Sequence, residues 1–175
     1  MKTAPARLLY LVVGFTLGYL LMGASPLAAQ GDCKVILDAE DKVLNTPTHT
    51  YSTMNMGGRT MNIETIYAAG AVYTKYDGKW SSGGTTKDIE ELTQKNRQTA
   101  KATCSHLKDE LVDGEMTGVY SSHEDSPKGK IDSQIWISKA KGLPLRQDID
   151  IDVGGSRGKS HSSMRFEYGN IKPPM

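Results

Sequence analysis

The side chains of this sequence that could do chemistry are histidine, aspartate and cysteine, and the histidine spacing argues against catalysis. The four histidines stand singly along the chain: His49, His106, His123 and His161. None has a partner at the spacing of a catalytic or metal-binding motif, and the sequence contains neither HExxH nor a nucleophile elbow. We therefore expect a protein that is not an enzyme and that needs no cofactor and no metal. An enzyme would require some of these histidines and aspartates to converge in a cleft with shifted pKa values.

Three aspartates alternate with isoleucines in one short segment: Asp148, Asp150 and Asp152. The run is similar to the start of a calcium-binding loop, but Val153 stands where the glycine should follow, and Lys159 occupies the position of the bidentate glutamate. In a strand the three carboxylates would share one solvated face, where Arg146, Lys159 and Arg165 could offset their repulsion. We interpret the row as a solubilising outer surface, with a weak surface cation site as the alternative.

The sequence contains two cysteines, Cys33 and Cys104. An even number of cysteines predicts one disulfide if the protein works in an oxidising compartment. Closing a loop of about 70 residues would stabilise the fold by roughly 4 kcal/mol in the chain-entropy model. Two buried free thiols are the alternative. A zinc site is disfavoured because neither cysteine has a second ligand at zinc-type spacing.

The N-terminus has the three-part layout of a secretory signal. Basic residues Lys2 and Arg7 precede an uncharged run from Leu8 to Met22, and small or turn-forming residues follow from Ala24 to Gln30. The apolar run has about 15 residues, which is shorter than the roughly 20 of a membrane-spanning helix. We therefore predict a signal peptide, with an uncleaved membrane anchor as the alternative.

The predicted signal peptide covers residues 1–30 and is cleaved after Ala29 or Gln30. Residues 31–175 then form a single domain with a modest core, periplasmic or secreted and without a membrane span. The net charge of +1 becomes about −1 without the two basic leader residues, and charges of both signs are mixed along the chain. No basic surface patch is expected that could bind the phosphate backbone of nucleic acid, so we expect no nucleic-acid partner. We expect a monomer.

The first part of the mature chain predicts one helix followed by strands. Asp32 can cap a helix that Pro47 ends, with apolar residues at helical spacing: Val35, Ile36, Ala39, Val43 and Leu44. Short alternating runs typical of antiparallel strands follow at 51–56, 61–67 and 71–76. Asp77-Gly78 is the strongest hairpin signal, because a type I′ turn needs positive φ at both central positions.

A long central helix is predicted next. Thr86 or Asp88 can cap it, and its pattern runs to about Val112 with apolar residues along one side: Ile89, Leu92, Ala100, Cys104, Leu107 and Leu111. A disulfide between Cys33 and Cys104 would tie this helix to the first one. Both helices would then lie on the same side of the sheet.

The strand pattern returns after Gly114, at 115–123, 131–139, 145–153 and 160–171. Alternation places three groups of apolar residues each on one face of its strand: Ile131, Ile135 and Ile137; Ile149, Ile151 and Val153; Met164, Phe166 and Tyr168. One face of the sheet is therefore expected to be apolar and the other solvated.

Four short motifs resemble the LolA-like family of outer-membrane lipoprotein-sorting proteins: Gln134-Ile135-Trp136-Ile137, Gly142-Leu143-Pro144-Leu145-Arg146, the closing segment 166–174, and the hairpin Tyr76-Asp77-Gly78-Lys79-Trp80. The resemblance covers most of the mature chain in the order of elements, although the chain is shorter and its predicted central helix replaces strands and short helices of the family. It implies a strongly curved antiparallel sheet, a half-barrel, that is closed by helices. Together with the two helices predicted from the sequence pattern, the expected fold is α+β, with the sheet covered by one N-terminal and one long central helix. The resemblance also implies an apolar cavity that holds acyl chains.

The residues themselves also favour an apolar ligand, because a curved sheet with an apolar inner face under an amphipathic helix encloses apolar volume. We expect a non-catalytic binder or carrier of an apolar or lipid-like ligand. This ligand could be a lipoprotein that is bound by its acyl chains. The alternative is an envelope protein-interaction module that uses the curved sheet as a docking surface. The candidate ligand-binding residues are the apolar inner-face positions: Met54, Met61, Ile63, Tyr73, Trp80, Ile135, Ile137, Ile149, Ile151, Met164, Phe166 and Tyr168. Each could instead be an ordinary core or packing residue.

Overall fold

The computed structural model describes residues 26–97, 101–126, 129–154 and 158–174. Within these residues the chain forms two helices and nine strands. In chain order they are α1 (Pro26–Leu44), β1 (Thr48–Met56), β2 (Arg59–Ala68), β3 (Ala71–Tyr76), β4 (Lys79–Thr85), α2 (Thr86–Arg97), β5 (Lys101–Val112), β6 (Glu115–Ser126), β7 (Gly129–Ser138), β8 (Pro144–Asp152) and β9 (Lys159–Tyr168). Most of the predicted signal peptide, residues 1–25, lies outside the described residues, and residues 26–30 belong to α1. Cleavage of the signal therefore stays a prediction.

The strands form one curved, unclosed antiparallel sheet in the order β4-β3-β2-β1-β9-β8-β7-β6-β5. Every neighbouring pair except β1 and β9 is consecutive in sequence, so the sheet is built from hairpins and short turns. The first and last strands pair along their whole lengths in the middle of the sheet, from Thr48 opposite Tyr168 to Met56 opposite Ser160. The α+β half-barrel architecture expected from the sequence is confirmed in this coarse form.

The predicted long central helix is wrong in its second half. The helix α2 ends at Arg97, and Lys101–Val112 is the edge strand β5, which pairs with β6 from Lys101 opposite Asp125 to Val112 opposite Glu115. The turn between them is Asp113-Gly114, with φ angles of 51° and 81°. The predicted Asp77-Gly78 turn has nearly the same angles, 49° and 76°. The Asp-Gly signal for a hairpin turn is therefore present at Asp113-Gly114 as well as at Asp77-Gly78. Pairing with β6 outweighs the helical periodicity of the β5 sequence.

Both helix starts differ from the predicted ones. Helix α1 begins before Asp32, so the Asp32 carboxylate is not a cap and instead accepts the backbone N–H of His106 on strand β5, at 2.9 Å. Helix α2 is capped by Thr85, one residue before the predicted position. Thr85 Oγ1 accepts the N–H of Asp88, and the Asp88 carboxylate accepts the N–H of Thr85, which is a capping box.

The disulfide between Cys33 and Cys104 is confirmed, with its sulfurs 1.99 Å apart. Because Cys104 lies on β5, the bond joins α1 to the edge of the sheet and does not join two helices. The helices nevertheless lie on the same side of the sheet, as predicted, because Arg97 at the end of α2 forms ion pairs with Glu40 and Asp41 of α1.

The core lies between α1 and the sheet face it covers, which we call the helix face. One cluster places Ile36 and Ala39 of α1 against Ile135 and Ile137 of β7. A second places Val43 of α1 against two residues farther along the sheet: Leu143 and Phe166. The opposite, outer face is largely polar.

Several residues depart from the expectation that the outer face is solvated, among them Ile66, which is 6% exposed. Val119 and Trp136 lie opposite each other there and are only 0% and 6% exposed. The Trp136 side chain lies beneath the Arg146 guanidinium, 4.6 Å from the ring centroid, and its indole N–H donates to Glu110. Neighbouring charged side chains therefore cover a small apolar cluster on this face.

Among the described residues, no helix combines the length and the apolar character that crossing a membrane would require.

Candidate ligand-binding site

The strand register brings most of the predicted ligand-binding residues onto the helix face. One cross-strand row runs through Ile63, Ser52, Met164, Gln147 and Ile135. The next row runs through Met61, Met54, Ser162, Ile149 and Ser133. The remaining helix-face predictions continue the alternation of these strands: Ile137, Ile151, Phe166 and Tyr168. The expected apolar inner face is thus assembled by pairing that no single strand reveals.

Tyr73 and Trp80 are not on this face, which corrects the prediction. Tyr73 lies opposite Ile66, and Trp80 lies opposite Lys75, both on the outer face. There the Lys75 ammonium is 5.7 Å from the Trp80 ring centroid. Since a shift of one residue moves a side chain to the other face of a strand, their position depended on the hairpin register, which the sequence did not determine.

A cavity of about 290 Å³ lies between α1, α2 and the helix face. Its apolar lining comes from all three: Val43, Leu44, Tyr67, Ile89, Ile135, Pro144, Met164 and Phe166. Ile135, Met164 and Phe166 belong to the predicted set. The helical contributions were missed because the sequence gives no contact between a helix and a particular strand.

A second cavity of about 250 Å³ adjoins the first, between α1, α2 and strands β5 and β6. Its lining includes Ile36, Leu37, Ala102 and the disulfide. Three residues line both cavities: Glu40, Thr93 and Arg97. The two spaces therefore meet at these residues. Thr93 and Arg97 follow Ile89 at intervals of four residues on α2, which places all three on one side of that helix.

An ion-pair network fixes the two helices above the cavities. Arg97 Nη2 lies 3.0 Å from Glu40 Oε2, and Arg97 Nη1 lies 2.9 Å from Asp41 Oδ1. Burial raises the pKa of Glu40 above its ordinary value, Arg97 opposes this, and the neighbouring carboxylates Asp41 and Glu124 add to it. The site thus combines an apolar floor with ion-paired side chains between its two helices.

The helix face continues beyond the cavity floor as an open apolar surface, which we call the apron: Met54, Met61, Ile131, Ile149 and Ile151. Met54 lies opposite Met61, and Ile131 lies opposite Ile151. These residues are half-buried. They lie two to six positions along their strands from residues that line the first cavity, so a long apolar molecule could extend from the cavity onto the apron.

The histidines and aspartates are arranged as surface pairs on the sheet. His123 lies 2.6 Å from Asp132, and His161 lies 2.9 Å from Asp150. Within the described ranges, no group of three or more histidines, cysteines and carboxylates could hold a metal ion.

The aspartate row lies on the outer face, as predicted. Arg146 pairs with Asp148 at 2.6 Å and Lys159 with Asp152 at 3.8 Å. Arg165, the third expected partner, instead pairs with Glu167. Two of the three predicted cations therefore offset the row, and the neighbour of Asp150 is the imidazole of His161.

Comparison of the sequence with protein-family models gives no match, and comparison with curated proteins gives none either. The LolA-like family is therefore not shown for this chain.

Several solved structures are similar in fold. LprF from Mycobacterium bovis matches with 11% identity and a TM-score of 0.46, over 83% of this chain and 96% of that one. The MucA/MucB complex of Pseudomonas aeruginosa matches with 10% identity and a TM-score of 0.48, over 82% of this chain and 59% of that one. The hypothetical lipoprotein YmcC from Escherichia coli matches with 12% identity and a TM-score of 0.36, over 82% and 95%.

Proposed function

We propose that this protein is an exported, non-catalytic binder or carrier of an apolar or lipid-like ligand. The observation that supports the proposal is the pair of adjoining cavities between the two helices and the apolar helix face. Their volumes, about 290 and 250 Å³, together fall within the range of small-molecule sites, roughly 300–1,000 Å³.

The lining favours a chain-like ligand. Aliphatic and aromatic side chains form the floor, with Ile135 fully buried and Phe166 nearly so. Each methylene that leaves water for such a surface stabilises the complex by about 0.8 kcal/mol. The half-buried apron extends the same surface, so a ligand longer than the cavities would keep burying apolar area.

The sequence resemblance to LolA-like proteins agrees with this proposal, and acyl chains of a lipoprotein are within the chemistry that such a surface accepts. We place the protein in the periplasm or outside the cell on the basis of the N-terminal signal layout. No chemical step is proposed, because the histidines form separate surface pairs with carboxylates and do not meet in the cavities.

The test is a substitution that fills the cavities with a larger side chain, made at a residue that lines both of them. Thr93→Phe places a ring at the point where the cavities meet, whereas Thr93→Val keeps nearly the same volume and is the matched control. We expect a fluorescent fatty-alcohol probe, which carries no charge, to bind the wild type and Thr93→Val, and to bind Thr93→Phe at least about tenfold more weakly because of steric exclusion. Circular dichroism and urea unfolding check that Thr93→Phe folds.

Native mass spectrometry of the purified protein, followed by organic extraction, reports any ligand carried from the cell. Failure of the wild type to bind the probe, together with absence of any lipid-sized adduct, would overturn the proposal.

The second candidate, a protein-docking surface, is favoured by one observation, the open and half-buried apron. Ile149→Ser and Met54→Ser would weaken capture of a partner while leaving the cavities intact. Thr93→Phe separates the two functions, because a partner that docks on the apron is insensitive to filling of the cavities.

A further inference from the structure

The place where the two cavities meet is acidic. We call it the junction and define it as Glu40, Asp41, Thr93, Arg97 and Glu124. These residues line one or both cavities. Three carboxylates and a single guanidinium are the charged groups among the described residues that line the two cavities. The polar part of an otherwise apolar site therefore carries an excess of negative charge.

The single positive group at the junction is already paired. Arg97 donates from Nη2 to Glu40 and from Nη1 to Asp41, at 3.0 and 2.9 Å. Its side chain is only 25% exposed and reaches from α2 to α1. Two carboxylates therefore already offset the guanidinium charge, and an anionic group entering the cavity would meet an excess of negative charge.

Glu124 is the carboxylate of the junction that Arg97 does not pair with. It lies on β6 at the wall of the second cavity and is half-buried, and its carboxylate forms no ion pair or hydrogen bond with the residues that the structure describes. It is close enough to Glu40 for the two carboxylates to repel, which contributes to the raised pKa of Glu40. A half-buried carboxylate without a partner, facing a cavity, is an acceptor for a charged donor.

We propose that the ligand is a cationic amphiphile, whose ammonium-type head group lies at the junction beside Glu124 and Glu40 while its apolar chain fills the cavities. This inference rests on the proposed function and adds the chemical class of the head group. An ammonium carries up to three donors and one positive charge, so it satisfies Glu124 and offsets the repulsion between the two glutamates. A carboxylate or phosphate head group would add a further negative charge to the same place.

The experiment compares three ligands that share one chain and differ in head-group charge: dodecylamine, dodecanoate and dodecanol. Binding is measured by calorimetry or probe displacement at neutral pH, below the micelle concentration of each ligand. We expect dodecylamine, which is protonated at this pH, to bind about tenfold or more tightly than dodecanoate, with dodecanol between them.

Glu124→Gln is the diagnostic variant, because it removes one charge and keeps the side-chain shape. It should reduce the preference for dodecylamine over dodecanoate several-fold while changing the affinity for dodecanol less than that for either charged ligand. Glu91→Gln, at an exposed position of α2 outside both cavities, is the matched control and should change nothing.

The outcomes separate this inference from the proposed function. Equal affinity for the three ligands, or a preference for dodecanoate, would overturn the cationic head group while leaving an apolar binding site in place. A preference for dodecylamine that Glu124→Gln does not reduce would also overturn it, since nonspecific attraction would then explain the result. Failure of all three ligands to bind the folded protein would sink the proposed function itself.

Discussion

Each of the four histidines lies beside a carboxylate. His49 lies 3.0 Å from Glu64, His106 lies 3.1 Å from Asp109, and His161 lies 2.9 Å from Asp150. The pairs are distributed over several strands, so each histidine interacts mainly with its own partner. The histidines and aspartates, which are the residues most capable of chemistry, therefore form local polar pairs on the surface of the sheet.

His123 gives a pH-dependent prediction. Asp132, and to a smaller extent Asp125, raise the pKa of His123 above its ordinary value near 6.5. The resulting stabilisation is complete below the unfolded-state pKa and is lost as pH rises through the folded-state pKa. We expect an NMR titration of the His123 ring to have its midpoint above 6.5. Asp132→Asn should lower this midpoint more than Asp125→Asn does, and equal effects would contradict the geometry.

At the scale of elements, helix α1 is held in place by contacts with the sheet and with α2. The disulfide joins Cys33 to β5, Ile36 and Ala39 pack on β7, and the ion pairs with Arg97 link α1 to α2. The covalent bond is at the edge strand, where fewer neighbours hold the chain. Helix α1 forms a wall of both cavities, so its attachment determines whether they exist.

The Cys33→Ser and Cys104→Ser double variant tests the covalent attachment. The bond closes a loop with a sequence separation of 71 residues. In the chain-entropy model its loss lowers the free energy of unfolding by roughly 4 kcal/mol. Urea unfolding of the oxidised wild type and the variant measures the difference, and the wild type under reducing conditions should match the variant. Equal stability of oxidised wild type and variant would contradict the prediction.

Strand β5 shows which part of an element the sequence can reveal. Its apolar residues, among them Cys104, Leu107 and Leu111, recur at helical spacing, and local pattern alone therefore favoured a continuous helix. The competing signal was the Asp113-Gly114 turn followed by the strand pattern of β6. Pairing along the whole of β6 satisfies the backbone of β5 on one side, and this gain outweighs local helical preference.

At the scale of the whole molecule, the sheet is open and its apolar face is only partly covered. The helices α1 and α2 close the space above one part of the helix face, while the apron is left half-buried. A closed barrel would have filled its interior with side chains, whereas this arrangement leaves room between layers. Ligand binding and overall stability should therefore be coupled.

We expect dodecylamine to stabilise the whole protein against urea. At a concentration of about 100 times its Kd, a ligand that binds only the folded state raises the free energy of unfolding by about 2.7 kcal/mol. The same concentration should stabilise Thr93→Val equally and leave Thr93→Phe unchanged. Stabilisation of Thr93→Phe to the same extent would mean that the ligand binds elsewhere.

The sequence by itself determined the local features of this protein. Turn chemistry at Asp77-Gly78, two-residue alternation in β7, β8 and β9, and the pairing of the two cysteines were all readable, because each depends on near neighbours or on a choice between few partners. The tertiary structure alone decided the rest. It placed Tyr73 and Trp80 on the outer face, turned 101–112 into an edge strand, and brought Glu40, Arg97 and Glu124 to one junction. These outcomes depend on strand register and on packing between residues far apart in sequence, and no local pattern contains that information.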